Sequence, residues 1–230
     1  MSGLSKTKNK QLAAHARKAL KGNWGLAIGT VLLYGFILYG LPNIIGLFFP
    51  VSNPINFTDI FLMISNFIFY SLIAGPLKLG LSFFVLSLSR KQNASFYQIL
   101  TGFKRFGVAM GAYMLSVLFI SLWSLLLIIP GIIAALSYSQ IYYIIAENDS
   151  IGPLQAMRES KKMMRGNKWK LFCLSLRFAG WMILGGISFG IGLLWVIPYL
   201  LVSFAQFYDD ISKKNSLVEE TALEYDPQLP

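Results

Sequence analysis

Charge is scarce in this sequence, and acidic charge most of all: 10 Asp and Glu stand against 20 Lys and Arg, and charged residues fill only 13% of its 230 positions. A soluble domain carries about a quarter charged residues, so the chain lacks the polar surface a water-facing globule needs. The single cysteine, Cys173, excludes a disulfide-stapled scaffold and reads as a small apolar residue in a packed helix. The single histidine, His15, lies in a basic N-terminal stretch where a solvated role fits, and no Cys/His cluster offers zinc-ligand spacing. A Gly-rich phosphate loop and a nucleophile elbow are missing as well. None of the acidic residues falls inside an apolar run. Paired intramembrane carboxylates, the tools of a proton-coupled transporter or an intramembrane protease, are therefore absent. The expectation is a protein that is not an enzyme and uses neither cofactor nor metal.

What the sequence has is grease: 55% of positions are hydrophobic and 15% aromatic. The apolar residues gather in six runs, at 24–49, 60–88, 106–129, 132–146, 171–191 and 193–207. A bilayer crossing needs about 20 residues, and isolated segments in lipid must be helical to satisfy every backbone amide. The fourth and sixth runs are short by that measure. Pro130-Gly131 separates runs three and four, Gly190-Ile191-Gly192 separates five and six, and Pro50 to Pro54 closes run one. Kinks are expected near Pro42 in run one and at Gly75-Pro76 in run two. The fold class is thus all-α, a polytopic bundle of about six transmembrane helices arranged as three hairpins. Residues 1–211 form one membrane domain and 212–230 an acidic, disordered tail. No cleavable signal peptide is read at the N-terminus, because the first run is too long for a signal core.

The net charge of +10 invites a nucleic-acid reading, but the bases flank apolar runs and follow a topological rule instead. Six precede the first run, four lie between runs two and three, six between four and five, and two follow the sixth. None falls in the three opposite loops. The positive-inside rule then places both termini in the cytosol of a bacterial cytoplasmic membrane.

Each hairpin follows a short basic stretch. Gln11–Lys21 ends in Lys-Gly-Asn-Trp, Pro153–Arg165 ends in Arg-Gly-Asn-Lys-Trp, and a weaker one covers Ser95–Leu100. The pattern reads as a threefold repeat of interfacial amphipathic helix, glycine break and hairpin. In the third helix Leu154, Met157, Lys161 and Met164 share one face, with Arg158, Lys162 and Arg165 toward the other. Together with Lys168 these bases form a surface for anionic headgroups or for a membrane-protein partner.

Two bases fall inside runs, where each is costly unless it finds a partner or the interface. Lys78 lies roughly 15 Å from the end of run two, near mid-membrane. A binding role for an anionic group, a lipid phosphate or a peptide carboxylate, follows from that depth. Arg177 lies roughly 10 Å beyond Lys170, within reach of the headgroups by snorkelling. The small-xxx-small pairs Gly25/Gly29, Gly107/Gly111 and Gly186/Gly190 mark expected close helix contacts.

The stretch Ala16–Gly29, the Pro130-Gly131 turn and Ala146–Phe172 carry a resemblance, together with Trp181, Pro198-Tyr199 and Phe207-Tyr208. They resemble the domain of unknown function 975 family, integral membrane proteins found mainly in Gram-positive bacteria. The family has no established activity, so the resemblance implies no catalytic residue. Ser160–Phe172 more distantly resembles the membrane domain of some glycerophosphodiester phosphodiesterases, without their catalytic domain. Two functions remain open. One is a non-catalytic component that handles or senses an amphipathic lipid or peptide, or assists an exporter. The other is a self-contained transporter of small molecules or peptides.

Overall fold

In the computed structural model, which describes residues 5, 7–48 and 56–224, every element is helical. Among the described residues, five helices are long and apolar enough to cross a bilayer: Trp24–Ile44, Phe57–Ser89, Gln98–Leu126, Ile128–Glu147 and Lys168–Ile187. Their apolar windows are only 17–44% buried within the protein, which leaves most of their surface for lipid. The sixth run does not reach that standard. Gln206, Asp209 and Asp210 follow Leu193 too closely for a full-length apolar stretch.

Helix α1 (Asn9–Leu20) ends in a turn at Gly22, whose φ of +88° suits glycine alone. Helix α2 (Trp24–Gly35) passes through a π-helical turn, Phe36–Gly40, into α3 (Leu41–Phe48). The Leu41 N–H bonds to the Phe36 carbonyl across that widened turn. Pro42 follows directly and has no N–H to offer the preceding turn, so the distortion expected near Pro42 takes this form. The end of run one and the Pro50–Pro54 turn lie outside the described residues.

Helix α4 (Phe57–Ser89) has 33 residues and opens on a capping box of Asn56 and Asp59. It runs through Pro76 without interruption. Helix α5 (Gln98–Thr101) is a single turn leading by a 3₁₀ turn, Gly102–Arg105, into α6 (Phe106–Leu126). The chain reverses at Leu127, in extended conformation, before α7 (Ile128–Tyr138). Pro130 therefore sits in the first turn of α7, where a missing N–H costs nothing, and not between the helices. A break at Ser139-Gln140 precedes α8 (Ile141–Glu147). Helix α9 (Pro153–Met163) leads through Gly166, φ +78°, to α10 (Lys168–Ile187), and a turn with Phe189 and Gly190 in the left-handed region leads to α11 (Leu193–Glu224). The α11 backbone stays helical to Glu224, across most of the segment expected as a disordered tail.

The apolar faces of α1 and α9 do not lie on lipid. Leu12, Ala16 and Leu20 of α1 pack into the same core as Ala156, Met157 and Met164, together with the last turns of α4, Ile141–Ile145 of α8 and Phe207 of α11. The buried stripe of α9 is Ala156, Met157, Ser160 and Met163, whereas Leu154 and Lys161 face outward. Of the face expected over Leu154, Met157, Lys161 and Met164, Met157 and Met164 are buried, whereas Leu154 and Lys161 stay outside. The glycine breaks of the first and third stretches share a positive φ, at Gly22 and Gly166, ahead of Asn and Trp. The middle stretch has Gly102 instead, which is packed and not left-handed.

Glycine contacts also differ from expectation. A Cβ at Gly25, Gly29, Gly107, Gly186 or Gly190 would meet nothing within 4 Å, and one at Gly111 would only touch the Pro153 ring. The close approaches are made at Gly75, Gly80 and Gly102, where a Cβ would fall 2.6 Å or less from backbone oxygens of a neighbouring element.

Candidate functional site

A cavity of about 510 Å³ lies between α2, α4, α6, α7, α8 and α11. Its walls are apolar side chains such as Val31, Leu81, Val85, Ile120 and Leu201, interrupted by Lys78, by Ser82, Ser116 and Ser139, and by Tyr34, Tyr113, Tyr138, Tyr142 and Tyr143. The chain folds this way locally because α4 can lean on its neighbours. Bare backbone at Gly75 meets Ala109 of α6, and at Gly80 it meets Ile99 of α5. This holds the turn that carries Lys78 against α6.

Lys78 is half-buried, and its Nζ sits 5.1 Å from the centre of the Tyr113 ring. A ring face stabilises an ammonium but cannot neutralise it. No Asp or Glu lines the cavity, and Lys78 forms no ion pair among the described residues. One polar atom of the lining, the Tyr142 hydroxyl, is buried with no hydrogen-bond partner. An unmade hydrogen bond at a buried group costs about 1–3 kcal/mol, so an occupant offering an acceptor to Tyr142 would recover it. Tyr70 bridges outward from Tyr113 to Tyr39, with ring centroids 6.4 and 6.2 Å apart. The cavity thus presents one cation, several hydroxyls and an apolar wall. That set of groups receives an anion better than a cation.

The structure does not join Arg177 to Lys78. Arg177 is exposed on α10 and does not line the cavity. Arg158, Lys161, Lys162 and Arg165 are exposed on and beyond α9, and Lys168 is half-buried at the start of α10. His15 is exposed on α1. Among the described residues no three His, Cys, Asp or Glu side chains converge as a metal site requires.

Sequence reasoning missed the role of the acids beside the apolar runs. Arg90, capping α4, meets Glu147 at the end of α8 and Asp209 on α11, the latter at 2.5 Å. Tyr208 donates to Glu147 at 2.5 Å, and Gln206 donates to the Ser89 carbonyl at 2.8 Å. Burial works against the Arg90 cation, but Asp209 and Glu147 outweigh it and raise its pKa. Nearby, Asp210 accepts from Ser5 and Thr7 and faces Lys170 at 3.5 Å. Arg105 donates to the carbonyls of Ile145, Asn148 and Ile151, where α8 ends and the chain turns toward α9. One end of the bundle is tied by these struts. The sequence signal was an acid just after each of runs four and six, Glu147 and Asp209.

A family described as "Protein of unknown function (DUF975)" has a sequence model that matches residues 1–135 and 125–215. The chain belongs to that family. No curated protein and no solved structure matches it. The family description carries no function, so in this DUF975 member the site must be judged by its geometry. That geometry favours Lys78 over Arg177, since Lys78 lines the cavity and Arg177 does not.

Proposed function

We propose that this DUF975 protein is a non-catalytic component of the bacterial cytoplasmic membrane that binds the anionic group of an amphipathic molecule, a lipid or a peptide, at Lys78. It crosses six times, as three hairpins, with α11 over Leu193–Phe207 making the last crossing and both termini cytosolic. The basic residues beside α1 and α9 face the headgroups of the same leaflet. One observation carries the binding reading: an ammonium lies half-buried in a cavity of about 510 Å³ that has largely apolar walls and, among the described residues, no carboxylate. At that depth an uncompensated charge costs several kcal/mol, and an anion whose tail fills the rest of the cavity would offset it. The struts joining α4, α8, α10, α11 and the N-terminal segment support the crossing number, because they bring to one end the positions that an up-and-down path would gather there.

The test is native mass spectrometry of the protein purified in its own membrane lipids. The wild type is expected to retain an anionic amphiphile that Lys78→Met loses, while helicity and melting temperature stay unchanged. A folded Lys78→Met protein with the same occupancy would sink the binding role. A Lys161→Cys variant is expected to react with impermeant maleimide only after the cells are opened. Labelling of intact cells would overturn the orientation and leave the binding result standing.

A further inference from the structure

A second recess lies on the other side of α7. Lys161 and Lys168 form one end of a groove of about 250 Å³, Trp123 and Pro130 form the other, and Ile133 and Ala134 lie between. The two lysines come from different helices and are brought together by the left-handed turn at Gly166. Neither forms an ion pair among the described residues. Trp123 and Ile133 are both 47% exposed, so the trough opens sideways, toward the surface that lipid covers. From Ser137 to Pro130 it follows α7 for roughly 10 Å.

We propose that this groove is a binding site for an anionic phospholipid of the leaflet that faces α9. The headgroup phosphate lies between Lys161 and Lys168, and an acyl chain runs along α7 toward Trp123. Charge complementarity selects the ligand. Two ammoniums at the head of a hydrocarbon trough favour a lipid of net negative charge over a zwitterion, whose own cation would have to sit beside them. Tyr138 lines both this groove and the Lys78 cavity. Its ring packs against Phe119 at 6.2 Å, so the lipid is seated one side chain away from the Lys78 cavity. The groove therefore serves as the place where an anionic amphiphile first meets the protein. The proposal rests on the membrane placement given above but not on any ligand at Lys78.

The test uses a variant with Trp24, Trp169, Trp181 and Trp195 replaced by Phe, which leaves Trp123 as the reporter. It is placed in phosphatidylcholine nanodiscs containing a minor fraction of brominated-chain phosphatidylglycerol or, in parallel, brominated-chain phosphatidylcholine. A lysine near a headgroup contributes about fivefold in affinity, so quenching of Trp123 by phosphatidylglycerol should half-saturate at a mole fraction roughly thirtyfold lower. Lys161→Gln/Lys168→Gln should bring the two lipids together, and Lys161→Gln alone should close about fivefold of the gap. Lys161→Arg/Lys168→Arg and Lys78→Met should each preserve it. Equal quenching by both lipids in the reporter protein overturns the proposal, as does a gap that survives the double glutamine change. A gap removed by Lys78→Met alone overturns it too, and would assign the quenching to the Lys78 cavity.

Discussion

Gly80→Ala is expected to destabilise this protein strongly, although alanine is the better helix former. In an exposed helix interior, Gly→Ala gains about 1 kcal/mol. At Gly80 the new Cβ would lie 1.8 Å from the Ile99 carbonyl oxygen and 2.5 Å from its carbon. Both are backbone atoms, so no rotamer change relieves the clash. Ordinary contact begins near 3.4 Å, which requires α4 and the Gln98–Arg105 segment to part by about 1.6 Å. Leu77 and Ile99, each fully buried, pack across that seam, and separating them opens a void in addition to the strain. Overpacking costs about 1–3 kcal/mol and a void about 1 kcal/mol or more, so the net loss reaches about 3 kcal/mol after the propensity gain where the backbone clash is relieved only by moving whole elements. For a chain of this size that lowers the melting temperature on the order of 10 °C, read by fluorescence-detected thermal unfolding in a mild detergent. Gly29→Ala is the control, since its Cβ meets nothing within 4 Å, and it should leave the melting temperature unchanged or slightly raised. A Gly80→Ala protein as stable as the wild type, or a Gly29→Ala protein that falls by as much, would refute the packing argument.

Arg90→Ala removes the common partner of Glu147 and Asp209 and leaves two carboxylates facing each other. With the guanidinium one-third exposed, the loss is about 2 kcal/mol, between surface and buried pairs. Arg90→Lys should recover less than half of it in the same melting assay, because one ammonium cannot span both acids. Asp210 is raised by burial, but hydrogen bonds from Ser5 and Thr7 and the charge of Lys170 hold its pKa below the ordinary carboxylate value. A depressed carboxylate stabilises fully above its unfolded pKa and is lost as pH falls through the folded one. Melting temperature should therefore be insensitive to this group from pH 7 to about pH 5 and fall below about pH 4, with a shallower acid slope in Asp210→Asn.

The helices were legible wherever a signal is local. Apolar runs placed the long helices, and Lys-Gly-Asn-Trp and Arg-Gly-Asn-Lys-Trp marked turns at Gly22 and Gly166 that need a positive φ. The break at Ser139-Gln140 carries no glycine or proline, and nothing local announces it. It is held from outside, by the Ser160 hydroxyl, which donates to the Ser137 carbonyl at 2.7 Å and accepts from the Gln140 N–H at 3.2 Å. Glycine spacing misled for the same reason: whether a glycine admits another backbone depends on what lies opposite. Gly75 and Gly80, five apart, make the contacts that the small-xxx-small pairs do not. Lys78 stood out in the sequence as a base in an apolar run, but the tyrosines and serines around it come from α2, α6, α7 and α8 and share no sequence pattern.

The placement of the few acids decides what the remaining bases can do. Among the described side chains, Glu147 and Asp209 meet Arg90, Asp210 meets Lys170, Asp149 meets Arg105 and Glu159 meets Lys162. Lys78, Arg158, Lys161 and Lys168 have no carboxylate among them. Had the cavity contained an acid, Lys78 would form an internal pair and the space would tolerate any amphiphile of suitable shape. Without one, a neutral occupant would strip water from the ammonium and offer no countercharge, at a cost of several kcal/mol. An anionic one would be attracted across a medium of low effective dielectric. The scarcity of acidic residues is thus what leaves Lys78 without an internal countercharge among the described residues. An acid introduced beside Lys78, as in Ser82→Asp, should abolish retention of anionic amphiphiles while leaving that of neutral lipids intact.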